Sequence, residues 1–276
     1  MSTFLAEMAA ASDTRVRAAK ARVSEAALAD LARRTPAAPP LRLSAQGFDL
    51  IAELKLRSPS AGALGSPDGA VAERVTAYAR AGAAAVSVLT EPSRFDGSLA
   101  HLTEAARALS PLRVPAMRKD FLIDPYQVLE ARAAGAGGVL LIVRMLSPEA
   151  LAALIDCARA HGLFVLLEAF DEADLERMRE VIERDAGRST LLAGVNCRDL
   201  TTLEVMPGRL LELLPLVPRG VPRVAESGVA GAADAGRLSG AGYSLVLVGS
   251  ALMRGEDPAA LARMLLEAGR AARGAS

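Results

Sequence analysis

From Asp49 onward the chain alternates between short apolar runs and longer stretches rich in Ala, Leu, Glu and Arg. The apolar runs are Leu50–Lys55, Ala84–Leu89, Val114–Arg118, Gly138–Val143, Leu163–Glu168, Leu191–Asn196, Pro222–Glu226 and Ser244–Val248. Near-continuous apolar character at that length is what a strand covered on both faces requires. The stretches between them include Ala70–Ala81, Ser98–Leu109, Pro148–His161, Asp171–Arg184 and Pro258–Arg270, and they read as helices. Strands alternating with helices predict a parallel α/β fold. Eight units over about 225 residues match a closed (β/α)8 barrel, the TIM barrel. An open doubly wound sheet is the alternative. The Gly135–Gly138 cluster does not favour it, because that cluster precedes a strand and a dinucleotide loop follows one.

Residues 1–45 read as an N-terminal helical extension packed on the barrel, and residues 46–276 as the barrel itself. A charged helical stretch from about Asp13 to Arg34 ends at the breaker Thr-Pro-Ala-Ala-Pro-Pro. The segment Phe4–Ala11 is apolar but short, and Glu7 interrupts it.

Polar residues gather where the strands finish. Glu53 and Lys55 are two residues apart, so they share one face of the first strand. Opposite charges in an apolar strand are costly unless paired or used. Later strands end in Arg118-Lys119-Asp120, Glu168, Asn196, Glu226-Ser227-Gly228 and Gly249-Ser250. In a barrel all these ends meet at one mouth, and such a set points to an active site rather than to scattered ion pairs. Ser227-Gly228 and Gly249-Ser250 each lie between a strand and a helix start. Glycine lets backbone N–H groups approach an anion, serine adds a donor, and the seventh and eighth loops are the usual phosphate site of such barrels. Ser58, after the first strand, is placed to add a third wall.

Bulk composition narrows the chemistry. Lys plus Arg is 32 and Asp plus Glu is 32, which argues against nucleic-acid or polybasic membrane binding. No apolar run has the length of a membrane span. The two cysteines, Cys157 and Cys197, have no CxxC spacing, so a reducing cytoplasm is expected rather than a disulfide framework. The two histidines, His101 and His161, fall in helical stretches away from the strand ends, which argues against a His-based metal site or a Ser-His-Asp triad. Acid–base chemistry then falls to Lys and Glu, with no cofactor and no metal expected.

These segments together carry a resemblance. IAELKLRSPSAG at 51–62, SVLTEPSRFDGS at 87–98, RKDFLIDPYQ at 118–127, VLLI at 139–142, LLE at 166–168, GVNCRDL at 194–200, ESG at 226–228 and VGS at 248–250 occur in the order found in indole-3-glycerol-phosphate synthases. The chain resembles that (β/α)8 family over essentially residues 48–255. RKDF, NxRDL and SPS are specific together, whereas ESG alone is weak. The resemblance implies closure of an indole ring, with decarboxylation and dehydration, in tryptophan biosynthesis. It implies Lys119 as general acid and Glu168 as catalytic carboxylate, with Glu53, Lys55 and Asn196 binding the substrate's hydroxyls and assisting proton transfer. It further implies phosphate contacts from Ser58, Ser227, Gly228, Gly249 and Ser250, with Arg198 beside the same pocket. Phe95, Phe121, Leu140 and Leu200 would line the slot for the aromatic ring.

The expected partner is a small phosphorylated substrate, with no nucleic acid, no membrane, and a monomer or weak homodimer as the working form. Two departures stand out: Leu56 replaces a commonly basic residue, and Ala169-Phe170 follows Glu168 where Val-His is frequent. They leave open a paralogue acting on a modified anthranilate-derived substrate. A Schiff-base aldolase using a barrel lysine as nucleophile, and a non-catalytic phosphate-binding barrel, are the alternatives of different class.

Overall fold

A computed structural model of the chain describes residues 3–58, 62–64, 71–199, 202 and 204–274. Eight parallel strands close into a barrel: β1 (Asp49–Leu54), β2 (Ala85–Leu89), β3 (Ala116–Lys119), β4 (Gly138–Ile142), β5 (Phe164–Ala169), β6 (Leu191–Asn196), β7 (Arg223–Glu226) and β8 (Leu245–Val248). Each pairs with its neighbours in sequence, and β8 returns to β1 with Asp49 opposite Leu245. The open doubly wound sheet is thereby excluded. Predicted and observed strands agree to within two residues at each end.

Two buried clusters follow from the two-residue strand period. Leu50, Ala52, Val86, Val88, Val139, Leu141, Val165, Leu167, Ala193, Val195 and Val246 face outward onto the helices. Ile51, Ala85, Met117, Leu140, Phe164, Leu166, Leu192, Val224 and Leu245 fill the barrel interior. The helices present apolar stripes to the outward set: Val71, Val75 and Tyr78 from Val71–Arg80, and Leu151, Leu154 and Ile155 from Pro148–Ala160. Ser98, Asp124, Ser147 and Asp171 each accept a backbone N–H at the start of a helix, so those boundaries are capped.

The N-terminal reading needs correction. One helical stretch from about Asp13 is in fact two helices, α1 (Thr3–Arg22) and α2 (Glu25–Arg34). Ser24 breaks them: its side chain accepts from Ala27 N, an N-cap that starts a new helix. The apolar start of the chain belongs to α1. Leu5, Met8, Ser12 and Val16 recur at helical spacing and are buried. Leu5 and Met8 join the interior cluster from above, so α1 lies over the barrel mouth. α2 packs Leu28 and Ala32 against Tyr126 and Leu129 on the barrel's side.

Candidate active site

The carboxyl ends of the strands surround a cavity of about 410 Å3. It is lined by Glu53, Lys55, Phe95, Lys119, Phe121, Leu140, Glu168, Asn196, Arg198, Ser227, Gly228, Gly249 and Ser250, which brings most of the sequence candidates together. The side chain of Ser58, and Leu200, lie outside the described residues.

Lys119, the last residue of β3, points inward. Its Nζ donates to Glu168 Oε2 at 3.1 Å and to Glu226 Oε2 at 3.4 Å. Asn196 Nδ2 donates to Glu168 Oε1 at 2.6 Å. Glu168 is therefore held from both sides, by a cation and by an amide. Across the mouth, Lys55 Nζ lies 2.8 Å from Glu53 Oε1, so the charges of the first strand do pair and also face the cavity.

Burial disfavours the charged form of Lys119, but the carboxylates of Glu168, Glu226 and Glu53 outweigh it and hold the ammonium protonated well above its ordinary range. Burial likewise pushes Glu53 up, and Lys55, Lys119 and Arg198 together bring it below its ordinary value. Glu226 goes the other way: burial and the facing Glu168 outweigh Lys119 and raise its carboxyl to about 8. Near neutral pH the cluster thus holds an ammonium on Lys119, a carboxylate on Glu53 and a proton on Glu226.

Sequence reasoning placed Glu226 at a strand end without giving it a role. Its Oε1 is buried and has no hydrogen-bond partner among the described residues. That oxygen lies against Gly194, where any Cβ would collide with it. Gly249 makes the same allowance for Glu53. Inward-facing glycines on β6 and just past β8 therefore create the space the two carboxyl groups occupy.

The apolar end of the cavity is larger than the sequence predicted. Phe95 and Phe121 lie 6.2 Å apart, and Phe4 of α1 meets Phe121 edge-on at 5.9 Å. Leu5, Ile142 and Phe170 complete the wall. Phe170, one of the two noted departures, is 3% exposed and lies under the guanidinium of Arg144 at 5.0 Å. Leu56, the other, lies just past the end of β1 and is buried. Phe4 and Leu5 had no local signal, because their role arises only when α1 folds over the mouth.

At the opposite end, Ser227 (φ 68°) and Gly228 (φ 72°) both adopt left-handed backbone. Such a turn presents successive N–H groups to one side, a concavity suited to anions. Ser250 begins a short helix, Ser250–Arg254, directly after β8. Ser227-Gly228 instead precede their helix, Ala232–Ala241, by several residues. The site thus has an anionic-ligand end, a charged centre and an aromatic end.

Comparison with known proteins agrees with this layout. The family model for indole-3-glycerol phosphate synthase matches residues 5–265. An indole-3-glycerol phosphate synthase of Parafrankia sp. is 45% identical over 253 residues, covering 90% of each chain. Indole-3-glycerol phosphate synthase 2 of Streptomyces coelicolor is 43% identical over 263 residues, covering 94% of this chain and 96% of that one. Among solved structures, a 3-hexulose-6-phosphate synthase superposes with a TM-score of 0.61 at 20% identity, over 80% of this chain and 99% of that one, a likeness of fold alone.

Proposed function

The chain belongs to the indole-3-glycerol phosphate synthase family, and on that premise we propose how its mouth residues divide the chemistry. The enzyme is a carbon–carbon lyase of tryptophan biosynthesis. It converts 1-(2-carboxyphenylamino)-1-deoxyribulose 5-phosphate to indole-3-glycerol phosphate, carbon dioxide and water.

The substrate's three parts correspond to the three parts of the cavity. The aryl ring takes the slot of Phe95, Phe121, Leu140 and Phe170. The phosphate takes the turn of Ser227-Gly228 and the start of the Ser250 helix, and Arg198 and Lys55 add positive charge. The ketone then lies over the central cluster. Ring closure forms a bond from the aromatic carbon bearing the carboxylate to the ketone carbon. Lys119 donates a proton to the ketone oxygen as that bond forms. Loss of carbon dioxide returns the bonding pair to the ring and restores aromaticity. The new hydroxyl leaves as water on receiving a proton, and a base removes the proton from the adjacent carbon. Glu168, held by Asn196, is that base. Lys55, paired with Glu53, is the acid for the departing hydroxyl. Glu226, carrying its own proton, meets Lys119 through Oε2 and helps to hold the acid in place.

The observation that carries this reading is the ammonium of Lys119 inside a ring of carboxyl groups at the floor of the cavity. The same observation weighs against the aldolase alternative, since a Schiff base needs the free amine. The described residues include no helix long and apolar enough to cross a membrane. We place the enzyme in the cytoplasm as a monomer or weak homodimer. Incubation with the carboxyphenylamino substrate, followed by indole fluorescence, tests the role of Lys119: the native protein turns over and Lys119→Ala does not. Borohydride trapping of an adduct on Lys119 would instead favour the aldolase.

A further inference from the structure

Strand β3 ends at Lys119, so the ladder stops fixing the backbone where the acid sits. The next two residues are held by side chains. The carboxylate of Asp120 accepts five hydrogen bonds from four residues. Arg15 of α1 donates twice, at 2.8 and 3.1 Å. Arg118 NH2 donates at 3.2 Å, Thr90 Oγ1 at 2.7 Å and the backbone N of Phe121 at 2.8 Å. Ser12 of α1 donates to the carbonyl of Phe121 at 2.6 Å, and Gln127 donates back to Ser12 at 2.9 Å. Asp120 is 3% exposed and Ser12 is fully buried, so water does not replace these bonds. Lys119, the acid, and Phe121, the wall of the ring slot, flank the clamped residue on either side.

Arg118 alone could neutralise Asp120, yet it is also committed elsewhere, to Glu130 at 2.9 Å, to the carbonyl of Gln127 at 2.8 Å and to Thr90 at 3.0 Å. Arg15 supplies the only two-point grip on the Asp120 carboxylate recorded among the described residues. A planar guanidinium fixes orientation in a way that a single ammonium does not. Docking of α1 has other ties besides this grip. Lys20 bonds Asp124 at 2.8 Å, the Tyr126 hydroxyl lies within hydrogen-bond distance of the carbonyls of Ala19 and, just past α1, Val23, and Leu5 and Met8 are buried.

We propose that Arg15 is a positioning residue for the reaction, setting the direction of Lys119 and Phe121 through Asp120. The inference rests on the role of Lys119 given above. Small misplacement of an acid costs rate, up to about 100-fold for about 1 Å, with substrate binding less affected.

The test compares kcat, KM and thermal unfolding for Arg15→Met, Arg15→Lys and Lys20→Met. Arg15→Met is expected to lower kcat about 10- to 100-fold with KM within about threefold of the native value. Arg15→Lys, which keeps the charge but loses the two-point grip, is expected to fall between Arg15→Met and the native enzyme. Lys20→Met removes a tie of α1 without touching Asp120 and is expected to keep native kcat. Native kcat in Arg15→Met overturns the proposal, as does an equal loss of kcat in Lys20→Met, which would mean that docking alone matters. If Arg15→Met does not fold, Arg15→Lys decides: native kcat there overturns the proposal and a severalfold loss supports it. Lys119→Ala in the same assay separates the two readings. Its full activity removes the premise, whereas an inactive Lys119→Ala beside a native-like Arg15→Met removes only the inference.

Discussion

On six of the eight strands the barrel interior has a lower and an upper inward position, one strand period apart, with opposite chemistry, whereas on β4 and β8 both positions are apolar. In the lower layer the inward residues are Ile51, Ala85, Met117, Leu166, Leu192 and Val224, all in one apolar cluster. Two residues further along the same strands stand Glu53, Ser87, Lys119, Glu168, Gly194 and Glu226. Side chains separated by two along a strand point the same way, so the backbone is common and only residue type differs. In the lower layer burial stabilises. In the upper layer burial opposes every charge, and the ion pairs and hydrogen bonds around Lys119 and Glu53 offset it. Stability and chemistry are thus separated by about 7 Å along a shared set of strands.

The sharpest way to break this separation is to remove the acid. Lys119→Ala is expected to cut kcat by about 1000-fold or more, about 4 kcal/mol of barrel-mouth chemistry. Its unfolding temperature is expected to fall as well, because Glu168 and Glu53 lose the buried cation that offsets their burial. A large loss of stability with activity intact would mean that the upper layer is structural after all.

The converse substitution lies one period below. Leu166 is fully buried in the interior cluster. Leu166→Ala is expected to cost about 2–5 kcal/mol of folding stability by denaturant titration. The folded fraction should keep kcat within a few-fold of native. A selective loss of kcat at normal stability would show that the layers are coupled.

Gly194→Ala tests the boundary between them. Its methyl would meet Glu226 Oε1 and crowd Leu166 Cδ1 and the Leu167 carbonyl. The expected result is about a tenfold fall in kcat, roughly 1.4 kcal/mol, from a displaced Glu226. An unchanged rate would remove Glu226 from the working cluster.

The lower layer was easy to read from sequence, because continuous apolar runs of strand length leave few other folds. Strand ends were legible for the same reason: Lys119, Glu168 and Asn196 interrupt those runs. Glu226 was harder. It ends a run just as they do, but its distinction depends on Lys119, 107 residues away, and on the space left by Gly194. α1 was hidden by composition. Alanines follow Leu5 and Met8, arginines flank Val16, and Ser12 occupies a buried position on that face, so the apolar stripe is faint. Ser12 is buried because Phe121 and Gln127 bond it, partners that only the fold supplies. Phe170 was visible as an unusual residue, but the stacked Arg144 that fixes it comes from the preceding strand's loop.

The smallest effect is the most specific to the upper layer. In the native protein Glu226 holds its proton up to about pH 8, whereas an unperturbed glutamate gives it up near 4.5. Between those values the folded state binds more protons than the unfolded chain, so stability falls as pH rises through that window. The raised value makes its contribution fully present below pH 4.5 and lost by about pH 8. Glu226→Gln keeps the shape and cannot ionise. Its unfolding temperature is expected to match native near pH 5 and to exceed it by a few degrees, about 2–4 °C per kcal/mol, above pH 8. The same variant is expected to turn over more slowly, since a fixed amide no longer adjusts its charge beside the Lys119 ammonium. Stability and activity would then move in opposite directions at one residue of the upper layer. No such opposition is expected at Leu166, where burial and function do not compete. Parallel melting curves for native and Glu226→Gln protein across the whole pH range would mean that Glu226 titrates as an ordinary carboxylate and that the mouth holds one proton fewer.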